Sequence, residues 1–362
     1  MKKTIVLAIA TLLTFSQNSF AKIWRVNNNT GVAANYTTIQ AAIDAATTLA
    51  GDTIHVEASA AGYGGCYLYK KLIIIGPGYF LTESSPLVAN SKTQVNPNIA
   101  FLNLLQMQVG SKGSVVSGMY INNYCVIQDS LITLQRCYIN GSILLGDNGT
   151  TTGGINDTIR QNYITGNITC GGGSSGKFKN ILVYNNIITA PNAVDFGNNI
   201  NNIDGFFINN NFVYSFSANP GNALNITSAN IVYQNNIFGY VNFGAYQSSN
   251  VYFNNICNGT GVPAGNSNVQ NVDASTVVYN DWTGNGAGFS SDGRYQLKGG
   301  ANPAVNAGTI NGTTINCGAF GGPAPYILSG MSNVPSIYAL TVPTQINSGT
   351  ATMNISLSSA SH

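Results

Sequence analysis

Twelve carboxylates, fourteen basic side chains and two histidines carry most of the acid–base chemistry open to this 362-residue chain. Paired carboxylates can flank a glycosidic bond, and clustered ones can hold Ca²⁺ while an Arg or Lys takes a proton. Asp129, Asp147 and Asp157 are separated by 18 and 10 residues, and Asp273, Asp281 and Asp292 by 8 and 11. Asp129 and Asp147 lie one repeat apart, which leaves a Ca²⁺ site between stacked coils as an alternative role. The ordinary role of such residues is turn capping, which Asp147-Asn148-Gly149 fits. Arg136 and Arg160 fall on neighbouring repeats one register position apart. In strands this points them to opposite faces and denies them a joint basic site. His55 lies between Ile54 and Val56 without a poised partner, and His362 is terminal. A Ser-His-Asp triad and zinc ligation are therefore unsupported. Cys66, Cys125, Cys137, Cys170, Cys257 and Cys317 form no CxxC. An oxidising compartment would permit disulfides, but apolar neighbours such as those of Cys125 suit buried thiols equally. On this reading no catalytic, cofactor-binding or metal-binding residue is assigned.

The elements that must position such groups are β-strands. Only 7% of residues are charged, against roughly 25% in typical soluble domains. Gly occurs 41 times and Asn more often still. Both are poor helix formers, and Lys/Glu pairs are nearly absent, which excludes a surface-exposed helical bundle. The 44% apolar content excludes a charge-rich disordered chain. The near balance of charge argues against nucleic acid as a partner. Residues 1–21 have the form of a secretory signal peptide: Lys2 and Lys3, an apolar stretch from Thr4 to Phe15, then Ser19-Phe20-Ala21. The stretch is too short to span a bilayer, so no membrane span is expected after its removal. A secreted or cell-surface, formally neutral monomer is the expectation.

A repeat runs through the middle of the chain. The pentapeptides ending at Ile139, Ile164, Ile188, Val213, Phe238 and Cys257 can be overlaid, with steps of 25, 24, 25, 25 and 19. Ser117–Ile121 and Val277–Trp282 are candidate flanking members. A period of 18–25 is too short for a propeller blade and lacks a leucine-rich framework, but it fits one coil of a parallel β-helix. The overlay yields a column: Asn162, Asn186, Asn211, Asn236 and Asn255. These are expected to form a structural ladder, with Asn tolerating the left-handed turn conformation and stacked amides bonding from coil to coil. A polar strip for sugar hydroxyls is the alternative role. Abundant Tyr and Phe are expected mainly in the core, with sugar stacking as a second use.

The open end of such a helix needs a cap. Thr37-Thr38-Ile39-Gln40 reads as a capping box with Thr37 at the N-cap. It would start a helix that runs over 37–50 and stops at Gly51. Asp52–Val56 and Lys71–Ile75 read as the first strands, the latter closed by Gly76-Pro77-Gly78. The run Tyr36–Ile43, Gly51–Val56 and Leu72–Tyr79 resembles the opening of secreted right-handed β-helix proteins of the pectin-lyase-like superfamily. Asp292–Leu297, Asn302–Gly308 and Cys317–Pro323 look like their closing segment. The resemblance covers residues 24–325. It implies an all-β, right-handed parallel β-helix domain over 22–325. Residues 326–362 are then a carboxyl-terminal extension, a partial β module. Relatives of that kind include lyases, hydrolases, adhesins and structural spikes, so fold alone does not give activity. Asp-Asp, Asn-Thr-Asp and Gly-His-Gly motifs, which the resemblance leads one to seek in hydrolases, are absent. The expected function is a non-catalytic scaffold that binds polysaccharide or acts as an adhesin-like module. No cofactor is expected. A divergent polysaccharide lyase, with Ca²⁺ and an Arg base, or a glycoside hydrolase is the alternative.

Overall fold

The structure is a computed structural model that describes residues 21–83, 94–146, 154–170, 178–190, 193–196, 203–213, 224–225, 230–239, 250–260, 262–279, 290–343 and 352–360. Apart from Ala21, the expected signal peptide lies outside these residues. Among them, the chain winds a parallel β-helix of three sheets. Sheet A has ten strands, from Ile23–Val26 through Thr133–Gln135, Thr158–Arg160 and Phe178–Tyr184 to Val251–Phe253. Sheet B has eight, from Phe101–Leu102 to Ile256–Cys257, and sheet C seven, from Gly65–Leu68 to Leu224–Asn225. Every pairing within these sheets is parallel.

Alternation along each short strand explains why the coils stack. In sheet A the inward positions are Ile54, Ile74, Val116, Leu134, Ile159, Val183, Phe207 and Tyr233, all nearly or fully buried. Burying each such side chain contributes roughly 1.5–3 kcal/mol, but only when the next coil covers it. Sheet B contributes Ile121, Ile139, Ile164, Ile188, Phe212 and Phe238 to the same core. Phe212 and Phe238 stack at 4.8 Å with an interplanar angle of 6°.

The cap differs in detail from its sequence signature. The helix spans Ile39–Asp44, and Thr38, not Thr37, is the N-cap, its hydroxyl accepting from Ala41 N at 3.1 Å. Gln40 does not close a capping box. It accepts from Tyr67 N at 2.9 Å and donates to Asp44 at 2.8 Å, so it ties the helix to the first strand of sheet C. The helix stops well short of residue 50, at Asp44, where Ala45 turns to an extended ψ of 132° while its N–H still caps the Ala41 carbonyl. A further strand, Ile23–Val26, precedes the expected first one and pairs with it.

Beyond the last coil the chain turns back. Residues 292–333 run as a strap along the corner between sheets A and B, returning to the amino-terminal coils. Cys317 lies near the last coil, where its thiol meets the Asn254 carbonyl. Tyr326 reaches Tyr79, the hydroxyls 2.5 Å apart, and Ser332 donates to the Gly76 carbonyl. The chain therefore stays on the solenoid through Asn333, and the carboxyl-terminal module is a hairpin of Ser336–Thr341 with Ser356–Ala360. Val277 and Val278 pack in an apolar cluster with Ile237 and Ile256 and form no coil strand.

Candidate functional site

Two asparagine columns, not one, line the corner between sheets A and B. In the pairs Asn185-Asn186, Asn209-Asn210, Asn235-Asn236 and Asn254-Asn255, the first residue takes the left-handed conformation, with φ between 55° and 57°. Gly118, Arg136 and Gln161 hold the same place on earlier coils with φ of 70°, 51° and 55°. The second residue of each pair points inward. Asn162, Asn186, Asn210, Asn236 and Asn255 form the buried ladder, each passing its backbone N–H and side-chain Nδ2 to the Oδ1 of the next at 2.8–3.1 Å. Asn268 ends it, and Cys137 N donates to Asn162 at its start. Asn211, expected in this column, is not a member; Asn210 takes its place. Three consecutive Asn left the register open, and Phe212, buried beneath Ile188 and against Phe238, sets it. Asn211 faces outward instead and holds Ala319 N and the Tyr295 carbonyl.

The outward column laces the strap down. Arg136 donates to the Met331 carbonyl at 3.0 Å and to Asn333 at 2.6 Å, Gln161 to Pro325 at 2.6 Å, and Asn185 to Ala319 and Gly321 at 2.8 and 2.7 Å. Asn235 exchanges both its amide atoms with Thr309. Arg136 is thus a corner residue and not one on the opposite face from Arg160. Burial, then the charge of Arg160, lowers its pKa.

The strap removes sheet B as an open platform. The outward rings of Tyr120, Tyr138 and Tyr163 pack on each other at 4.6 and 5.3 Å, and Phe80 closes over Tyr138 and Tyr163. Their faces are spent on neighbours. The outer face of sheet A carries two columns in register. The first includes Thr133, Thr158, Leu182, Phe206 and Val232; the second Gln135, Arg160, Tyr184, Ile208 and Gln234. Phe206 is 41% exposed and Val251, at the end of the first column, 49%. Arg160 joins three coils: its Nε donates to Gln135 Oε1 and its Nη1 to the Tyr184 hydroxyl, both at 2.7 Å. Neither column holds a carboxylate. Their charged or near-neutral groups are Arg25, paired with Glu57, His55 and Arg160. Burial lowers the His55 pKa more than Glu57 raises it, so the imidazole is neutral. Beside it a groove of about 440 Å³ separates Pro77 and His55 from Val95, Val334 and Ile337.

Among the described residues the carboxylates do not assemble. Asp129 caps a turn, accepting from Gly110 N, Lys112 N and Ser130 N at 2.8–3.0 Å. Asp157 is fully buried, and Asp292 is buried under the strap with Tyr326 and Ser329 donating to it. Asp204 pairs with Lys179, and Asp273 caps Ser275. Asp147 and Asp281 lie outside the described residues. Among the described residues no group of three or more His, Cys, Asp or Glu could hold a metal ion. All six cysteines are free thiols, five of them buried. No helix of the described residues is long and apolar enough to cross a membrane. No family model matches the chain, and no curated protein matches it.

Proposed function

We propose that this chain is a secreted β-helix scaffold that captures a linear polysaccharide along the outer face of sheet A without cleaving it. One observation carries the reading. The face is long and nearly uncharged, and it places the linked Gln135–Arg160–Tyr184 chain beside exposed Phe206. Amide, guanidinium and phenol groups suit sugar hydroxyls, and an exposed ring suits the apolar face of a pyranose. The columns repeat at about 4.8 Å and extend about 43 Å over ten strands, so a polymer laid along the axis meets equivalent positions coil after coil. The strap borders one long side of the face, where Gln234 donates to the Thr309 carbonyl at 2.6 Å. The resemblance to pectin-lyase-like proteins and to adhesin-like modules belongs to this reading, as do an extracellular location and a monomeric state.

The test is a depolymerisation and binding screen against pectic, algal and host glycans, with and without Ca²⁺. Retained binding with neither unsaturated products nor new reducing ends supports the scaffold. Unsaturated products would make the chain a lyase, and reducing ends alone a hydrolase; either overturns the non-catalytic reading.

A further inference from the structure

Asp52, Ser114, Asp157 and Asn250 each stand one residue before the outward column of sheet A, and they share one task. The side-chain oxygen accepts the backbone N–H of the equivalent residue on the preceding coil: Lys22, Leu72, Ile132 and Ile231 donate at 2.8, 3.0, 2.9 and 2.9 Å. Ser114 and Asn250 do this uncharged. Asp52 uses its second oxygen as well, taking Trp24 Nε1 and Leu49 N, both at 2.9 Å. Asp157 has no such support. Its Oδ1 takes Ile132 N, while its Oδ2 is buried with no hydrogen-bond partner and packs against Gly154. The residue is fully buried.

Among the described residues, the ionisable groups on the packed elements give no relief. The preceding coil brings Asp129, a like charge. The following coil brings Lys179, which Asp204 holds at 3.0 Å. We infer that Asp157 is a proton-operated latch: neutral, it locks the 154–158 turn onto the preceding coil, and ionised, it releases that turn and the Thr158–Arg160 strand that follows. Thr158 and Arg160 lie on the binding face, so capture on that face is favoured by acid; this consequence rests on the proposed function, whereas the latch does not.

Burial, opposed by the Ile132 N–H and reinforced by Asp129, pushes the carboxyl up to about 7. The folded value lies above the unfolded one, about 3.9. The closed turn therefore binds the proton that the open turn gives up. Closure is strongest below about pH 4 and weakens as the pH rises towards 7, by about tenfold per unit and about a thousandfold in all.

Hydrogen exchange of the full chain at pH 5 and pH 8, corrected for intrinsic rates, tests this at the amides of Ile132 and Thr158. Wild-type protection should fall about a hundredfold between the two. Asp157→Asn, or Asp157→Ser should the first variant fold poorly, should keep protection at both pH values. An unchanged wild-type profile, or the same fall in the folded variants, would overturn the latch. If exchange depends on pH but glycan capture does not, the coupling to the binding face is overturned and the latch stands. If no glycan binds, the exchange result still decides the latch.

Discussion

Replacing Asn210 by Ala removes one rung from the middle of the buried ladder. The Asn210 Oδ1 accepts from both the backbone and the side chain of Asn186, each at 3.0 Å. Its Nδ2 donates to the Val183 and Ile208 carbonyls and to Asn236. Some partners keep alternatives: Asn186 Nδ2 still reaches the Ile159 carbonyl, Ile208 O still takes Asn185 N, and Asn236 Oδ1 still takes Asn210 N. The Asn186 backbone N–H and the Nδ2 bond to Val183 O are lost outright. The unpaired Asn186 N–H costs roughly 1–3 kcal/mol and the lost bond to the Val183 carbonyl about 1 kcal/mol, so the substitution should cost roughly 2–4 kcal/mol. Asn140→Ala is the control, because Asn140 sits half-buried on the outside, donating to Asn122 at 3.1 Å and accepting from the Thr165 hydroxyl at 3.0 Å, and water can replace both partners. It should cost about 1 kcal/mol or less. Urea unfolding followed by circular dichroism measures both. A loss below about 0.5 kcal/mol at Asn210, or equal losses at both sites, would refute the view that coil-to-coil amide bonding holds this corner.

Three other outcomes are expected. Gly330 has φ 56°, and a Cβ there would run into the Tyr79 ring and the Arg136 carbonyl; Gly330→Ala should release the strap, and limited proteolysis should then cut between residues 323 and 335 before the coils unfold. Burial pushes the thiols of Cys66, Cys137, Cys170 and Cys317 up to about 12, so a thiol reagent at pH 8 should react with native protein about a thousandfold more slowly than with a free thiol. After denaturation without reductant, all six should react at once. Tyr326→Phe removes the hydroxyl between Tyr79 and Asp292 and so one of the donors to that carboxylate, while the Ser329 N–H remains; a melting temperature lower by several degrees, falling further as the pH rises, should report the weakened strap.

The solenoid was legible because its period is written in short apolar alternations that no other architecture of that length explains. The ladder was legible through its amides, but not its register at 209–211. There three Asn offered three equivalent overlays, and only the burial of Phe212 chose among them. The second column was present in the sequence as repeated Asn-Asn doublets. Each doublet supplies a left-handed turn residue and an inward rung, and at Asn185, Asn235 and Asn254 the turn residue also bonds the strap. The strap itself was not legible as a strap, because its contacts join residues as far apart as Tyr79 and Tyr326. The chain Gln135–Arg160–Tyr184 escaped for the same reason: residues 24 and 25 apart become neighbours only once the coil register is fixed. Asp157 looked like one of several turn carboxylates, and nothing in its neighbours announced that one oxygen would be buried unpaired.

The central claim is that the outer face of sheet A holds a polysaccharide. Affinity electrophoresis in gels cast with each glycan of the screen, run with wild-type protein and with Arg160→Ala, Tyr184→Ala and Phe206→Ala, tests it most directly. Wild-type protein should be retarded by at least one polymer. Each variant, with its far-ultraviolet spectrum intact, should lose about five- to thirtyfold in affinity, since a single buried contact to a sugar is worth roughly 1–2 kcal/mol. Retardation that persists unchanged in all three folded variants would place the ligand elsewhere and contradict the account.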